Sequence, residues 1–202
     1  MKSYSQNAED LFIQSYFGDY KGTLLSIGEN NGTDLSNAKL LIDHGWKAIL
    51  FEPGITCLDL YKLHSGNSNV VVYNLGVGDK DEQVDFYESG AHIKNGSDRG
   101  LVSTCDFEET KRWPDVEFTK RTINLVPFSM IETEWPFDYI SIDAEGQDLK
   151  ILRQMNLTAL ECKCLCIEWN SSLELKLLFT EYCDRFGLKL AHTHAENLIF
   201  TQ

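Results

Sequence analysis

Two motif sets in this chain carry residue types that do chemistry. In the first, the apolar run Leu24-Leu25-Ser26-Ile27 breaks into Gly28-Glu29-Asn30-Asn31-Gly32, and a second apolar run ends in Phe51-Glu52-Pro53. Gly28 and Glu52 stand 52 − 28 = 24 positions apart. An apolar strand that feeds a glycine turn, with an acid closing the next strand, is how an α/β sheet holds a nucleoside. The glycines let backbone N–H groups approach the ligand, and the acid takes two ribose hydroxyls. The glycine pattern is GxxxG and not GxGxxG, which argues against a pyrophosphate cradle. A tight strand–helix turn with a surface glutamate reads the same way. In the second set, Ile142-Asp143-Ala144-Glu145-Gly146 places two acids two positions apart, directly before a glycine and a helix. Neither acid is needed for folding there, which makes the pair a candidate for work in a site.

Such residues need strands that end together. Apolar runs predict strands at Leu24–Ile27, Ala48–Glu52, Val70–Leu75, Phe137–Asp143 and Cys164–Trp169, with a short one at Val84–Tyr87. Helices are expected over 5–17, with Ser5 or Asn7 as cap, and over Leu35–His44, Ile55–His64, Gln147–Gln154 and Leu173–Phe186. Leu188–Thr193 and Asn197–Thr201 read as a closing antiparallel pair. From Ser89 to about Val126 the pattern breaks down; this stretch reads as an insertion covering the site, with a short helix near 106–113. Strands alternating with helices predict a doubly wound α/β sheet over 1–202 as a single domain. Its ligand lies beyond the carboxyl ends of the strands.

Composition narrows the partners. The 202 residues carry a net charge of −13, 43% are hydrophobic, and no basic face is visible, which disfavours nucleic acid or an anionic membrane. No apolar run reaches the roughly 20 residues of a membrane span, and the first ten residues lack the apolar core of a signal peptide. The six cysteines include Cys162, Cys164 and Cys166 in alternation, read as a buried strand face more than a metal site. A cytoplasmic protein with reduced thiols is the expectation.

In series, the motifs resemble the FkbM-like branch of class I S-adenosylmethionine-dependent methyltransferases. The residues that carry the resemblance are Tyr4-Ser5-Gln6 with Glu9-Asp10, Ser26-Ile27-Gly28 with Asn30 and Gly32, Glu52-Pro53, Gly76-Val77-Gly78-Asp79, Ser141 to Gly146, Ile167-Glu168-Trp169-Asn170, and Asn197 to Phe200. Glu29 departs from the pattern, since the family usually has a small residue after the first glycine; it would meet a cation or point to solvent. The resemblance implies a Rossmann-like seven-stranded sheet with a reversed C-terminal strand and helices on both faces. The activity it implies is methyl transfer, commonly to an oxygen of a sugar or related metabolite.

On that resemblance S-adenosylmethionine would lie against Gly28, Glu29, Asn30 and Gly32. Ser36 and Asn37 would meet its carboxylate, Glu52 and Pro53 its ribose, and Leu75, Gly76 and Val77 its adenine. Gln6 and Glu9 would fold over the rim, and Asp143 would close the site. The acceptor hydroxyl needs its proton removed. One route is Asp143, Glu168 and Asn170 as hard oxygen ligands for Mg²⁺ or Mn²⁺. The other is His192 or His194 as base, with Asp143 and Glu145 orienting the acceptor. Trp113, Trp135 and Trp169 are candidates to stack on a sugar ring. Two other readings stay open. A nucleotide-dependent oxidoreductase would want glycine where Asn30 stands, and a non-catalytic nucleoside-binding module would keep the same glycines and Glu52.

Overall fold

The computed structural model describes residues 2–91, 99–131 and 136–202. Its main sheet has seven strands: β1 (Thr23–Ile27), β2 (Lys47–Phe51), β3 (Val70–Tyr73), β7 (Tyr139–Ile142), β8 (Cys164–Glu168), β9 (Lys189–Thr193) and β10 (Asn197–Thr201). Their order is β3-β2-β1-β7-β8-β10-β9; the first five run parallel and β10 is antiparallel to both its neighbours. This is the doubly wound Rossmann-like sheet with a reversed last strand. The central strands are buried along nearly their whole length, so they read as continuous apolar runs. Edge strands β3 and β9 keep exposed positions.

Because side chains alternate along a strand, each strand feeds two cores. Leu25, Ile27, Ile140, Ile142, Leu165 and Ile167 pack on one face with Ile151 and Leu152 of α5 (Asp148–Leu152) and Phe179 of α6 (Leu173–Asp184). Leu24, Ala48, Leu50 and Tyr139 pack on the other. Their partners are Ile13 of α1 (Glu9–Phe17), Leu41 of α2 (Lys39–Asp43), Trp46 and Leu60 of α3 (Cys57–Leu63). Cys164 and Cys166 are buried on this second face, while Cys162 precedes β8 and sits in the first core, so the three sulfurs do not share a face. Among the described residues no helix is long and apolar enough to cross a membrane.

Two expected elements differ. The helix predicted over Leu35–His44 begins only at Lys39: Leu35 takes φ 57° and is 37% exposed, because residues 30–37 wrap the end of β1 before the helix starts. The stretch expected to be irregular contains β6 (Phe118–Pro127). It pairs antiparallel with β5 (Glu82–Ser89) and parallel with β4 (Gly76–Gly78) in a second sheet of order β4-β6-β5. β6 buries only Ile123, so cross-strand pairing and not burial defines it, and no apolar alternation announces it. The short helix appears as α4 (Phe107–Thr110), capped by Asp106, whose side chain accepts from Glu108 N.

Candidate functional site

Strand register sets the site. Ile27 pairs with Phe51 on one side and Ile142 on the other, and Ile142 pairs with Ile167. Glu52, Gly28, Asp143 and Glu168, one position further on, therefore form a row across β2, β1, β7 and β8 at the carboxyl edge. Asn197 lies opposite Glu168 in β10 and extends the row. The sheet order reverses between β1 and β7, where such folds bind ligands. A cleft of about 350 Å³ opens there.

At the β1–β2 end the turn amides are consumed within the protein. Gly28 N and Glu29 N donate to Phe51 O at 2.9 and 3.2 Å, and Gly32 N donates to Glu29 O at 3.0 Å. Asn30 N donates to Glu52 Oε2 at 2.9 Å. Gly28 serves a different need from the one expected. At φ 82°, a Cβ there would fall 1.7 Å from the Asp143 carbonyl oxygen, so glycine lets β1 and β7 end side by side. Gly32 does not line the cleft; it makes room for Leu60 and Leu63 of α3.

Glu29 is 4% exposed and does not reach solvent. Its two oxygens accept from Ser26 Oγ and Ser36 Oγ, each at 2.5 Å. Burial pushes its carboxyl up to about 7, against the pull of those two hydroxyls. Ser36 Oγ in turn accepts from Ala38 N and Lys39 N, so it holds the turn that leads into α2 and its hydroxyl is already committed. Glu52 accepts from Gly54 N at 2.6 Å as well as from Asn30 N. Burial raises its carboxyl to about 7, opposed by those amides and reinforced by Glu29 and Glu88. The carbonyl oxygens Asn30 Oδ1 and Asn37 Oδ1 line the cleft, buried and without a partner. Pro53, Leu75, Gly76 and Val77 form the apolar wall beside them.

At the β7–β8 end, Asp143, Glu145 and Glu168 each present an oxygen within 4.8 Å of the others. Asp148 accepts from Ala144 N at 2.9 Å and Gly146 N at 3.1 Å and so holds the loop that carries Glu145, which sits at φ 42°. Burial, with Asp148, Glu29 and Glu52 nearby, pushes Asp143 up to about 8. Burial and the neighbouring acids hold Glu145 and Glu168 well above the usual carboxylate range, with Arg112 opposing. Asn170, at φ 49°, lines the same cleft.

Residues 99–113 cross above the cleft. Asn30 Nδ2 donates to Arg99 O at 3.3 Å over one end, and Thr104 Oγ1 donates to Glu145 O at 2.8 Å over the other. Arg112 and Trp113 line the cleft from this segment. Trp169 is packed in the core and donates Nε1 to His194 O, and Trp135 lies outside the described residues. Neither His192 nor His194 lines the cleft; their rings lie 4.2 Å apart, and His192 contacts Phe12. Gln6 reaches the cleft from a strap before α1. The expected cap from Ser5 or Asn7 is replaced by an Ala8 with φ 65°. Glu9 and Asp10 stand in the first turn of α1 and are fully buried. Asp10 accepts from Ser3 Oγ, Tyr4 N and Ser5 Oγ. Glu9 accepts from Asn7 N and Asn197 Nδ2. Arg112 and Glu196 also line the cleft and carry no motif spacing that would reveal them; Asn197, which opens the last motif of the resemblance, lines it too, a place the motif alone did not assign.

Comparison with known proteins agrees with this fold. The model of the methyltransferase FkbM domain matches residues 26–184. No curated protein sequence matches the chain. Among solved structures, the chain is similar to a protein assigned as an RNA methyltransferase from Pyrococcus horikoshii, with a TM-score of 0.51, 11% identity, and coverage of 96% of this chain and 83% of that one. It is also similar to the precorrin-6y C5,15-methyltransferase of Geobacter metallireducens, with a TM-score of 0.48, 8% identity, and coverage of 96% and 86%. At such identities the first likeness is one of fold. The family match spans more than half of the chain, from Ser26 in β1 through the Glu52 and Asp143–Glu145 motifs into α6. The chain belongs to the FkbM-domain family of S-adenosylmethionine-dependent methyltransferases.

Proposed function

We propose that this chain transfers a methyl group from S-adenosylmethionine to a hydroxyl oxygen of a small, uncharged, hydroxyl-rich acceptor, a sugar or related metabolite. The observation that carries the reading is that one cleft joins two chemically distinct ends: Glu52 with Asn30 and Asn37 at one, and Asp143, Glu145 and Glu168 at the other. The first end fits the cofactor. Its free groups are buried acceptors, Asn30 Oδ1, Asn37 Oδ1 and the remaining lone pairs of Glu52, which call for a ligand rich in N–H and O–H donors. Ribose hydroxyls and an ammonium group meet that need, and Gly76 and Val77 offer a flat apolar wall to the base.

When bound, the cofactor supplies a methyl group on a positively charged sulfur. The protein must bring the acceptor oxygen into line and take its proton. Asp143 or Glu145 would take the proton of the acceptor hydroxyl. Burial and crowding raise the basicity of both, which suits a base working near neutral pH. His194, away from the cleft wall, takes no part in this reading. Mg²⁺ or Mn²⁺ on Asp143 and Glu168, with Asn170 beside them, would serve the same end by lowering the pKa of the acceptor hydroxyl. The acid lining supports a neutral acceptor over a polyanionic nucleic acid, as does the net charge of −13. In this reading residues 1–202 act as one catalytic domain, and the insertion at about 89–126, with its crossing segment 99–113, covers the acceptor.

The test is calorimetric titration with S-adenosylmethionine and S-adenosylhomocysteine, with NAD as control, on the wild type and Glu52→Ala. Binding of both sulfur nucleosides in the micromolar range, lost in the variant, is expected. A folded protein that binds neither, or that prefers NAD, overturns the reading.

A further inference from the structure

We infer that the acid end of the cleft is a divalent-cation site built from Asp143, Glu145, Glu168 and the side-chain oxygen of Asn197. Three carboxylates with oxygens within 4.8 Å of one another repel unless they hold protons or a counter-charge. Among the described residues Arg112 is the one Lys or Arg side chain lining the cleft, and it is already bound to Glu109 at 2.7 Å. Arg112, shared with Glu109, is thus the one cation facing three carboxylates, and the cluster stays short of positive charge.

Two buried oxygens mark where an ion would bind. Glu168 is 6% exposed, and its Oε2 has no hydrogen-bond partner. Asn197, 5% exposed, stands directly opposite Glu168 in the β8–β10 register, and both line the cleft. The orientation of its amide is set from behind. Asn197 Nδ2 donates to Glu9 Oε1 at 3.1 Å, while the other Glu9 oxygen is held by Asn7 N at 2.7 Å. An amide gives a carboxylate only its nitrogen, so Oδ1 is turned away from Glu9, and it is buried without a partner. A buried carbonyl oxygen left unpaired beside a carboxylate that is also unpaired is costly unless a cation meets both.

The donor set is all oxygen, with three carboxylates and one neutral amide. That suits Mg²⁺, Mn²⁺ or Ca²⁺ over softer metals. An octahedral ion held by these four groups keeps two positions open, enough for an acceptor oxygen and a water. This set differs from the one expected from sequence: Glu145 joins from the loop after β7, and Asn197 joins from the neighbouring strand. The catalytic role of the ion rests on the methyltransferase reading, but the site itself does not.

The full chain, stripped with a chelator, is titrated with Mn²⁺. Uptake is read by calorimetry and by the electron paramagnetic resonance signal of free Mn²⁺, and S-adenosylhomocysteine binding is measured on the same samples. One saturable equivalent is expected, weakened roughly tenfold or more in Glu168→Gln, Glu145→Gln and Asn197→Ala. The exposed Asp115→Asn serves as control and leaves it unchanged. A wild type without a saturable equivalent, or Glu168→Gln and Glu145→Gln binding Mn²⁺ as the wild type does, overturns the site. If S-adenosylhomocysteine still binds in that case, the methyltransferase reading survives; loss of both overturns both.

Discussion

Replacing Glu29 with glutamine isolates the cost of burying its charge. The substitution keeps the shape of the side chain. Ser36 Oγ already accepts from Ala38 N and Lys39 N, so it can only donate, and the glutamine oxygen must face it. Ser26 Oγ makes no other side-chain hydrogen bond, so it can accept from the glutamine nitrogen. The neutral variant is therefore satisfied in one orientation. In the wild type burial raises the Glu29 carboxyl from 4.5 to about 7. The folded state thus holds this proton to a higher pH than the unfolded chain does. Stability is greatest below the unfolded value, falls as pH rises between the two, and is flat above the folded one. The full loss is roughly 3 kcal/mol, of which about 2.5 kcal/mol falls between about pH 5 and pH 8. Other buried carboxyls shift the same way in both proteins; Glu52 and Asp143 are raised in part by Glu29 itself, so their smaller shifts in the variant add to the difference in the same direction. Urea unfolding at the two pH values, with m-values compared, reads the effect. The stability of Glu29→Gln relative to wild type should improve by about 2.5 kcal/mol on going from pH 5 to pH 8. An equal difference at both pH values, or a greater loss at pH 8, would refute the account of Glu29 as a buried and reluctantly ionised acid.

Two further substitutions test the frame of the cleft. Gly28→Ala places a Cβ against the Asp143 carbonyl oxygen at a backbone φ of 82°, so β1 and β7 must part. It should cost about 3 kcal/mol or more by denaturation, and a near-neutral result would show that these strand ends do not press together. Asp10→Ala removes the acceptor shared by Ser3, Tyr4 and Ser5. A loss on the order of 2–4 kcal/mol, with fast hydrogen exchange confined to the strap ahead of α1, is expected. Unchanged protection of those amides would mean the strap is held by something other than Asp10.

The site is partly legible in the chain because its strands are buried on both faces. Such strands appear as unbroken apolar runs, and the first polar residues after them stand at the carboxyl edge whatever else the fold does. Gly28, Glu52 and the Asp143–Glu145 pair were readable for that reason. The roles inside the turn were not. The amides of Gly28 and Glu29 are spent on Phe51 O, and that becomes visible only once β2 lies beside β1. β6 escaped because its partner strand defines it, and α2 starts late because Ser36 is engaged with Glu29.

Local order along the chain determines the strands, the acids that end them, and so the family and the sheet. The convergence of Asp143 and Glu168 was readable from their strand ends, but the rest of the cluster was decided by tertiary structure. Glu145 turns back towards Glu168, and Asn197 is oriented by Glu9, a residue 188 positions away. Hydrophobic period is a local property that a few consecutive residues express. The position of a hydrogen-bond partner depends on where the whole sheet places two distant segments, and no spacing in the sequence encodes it.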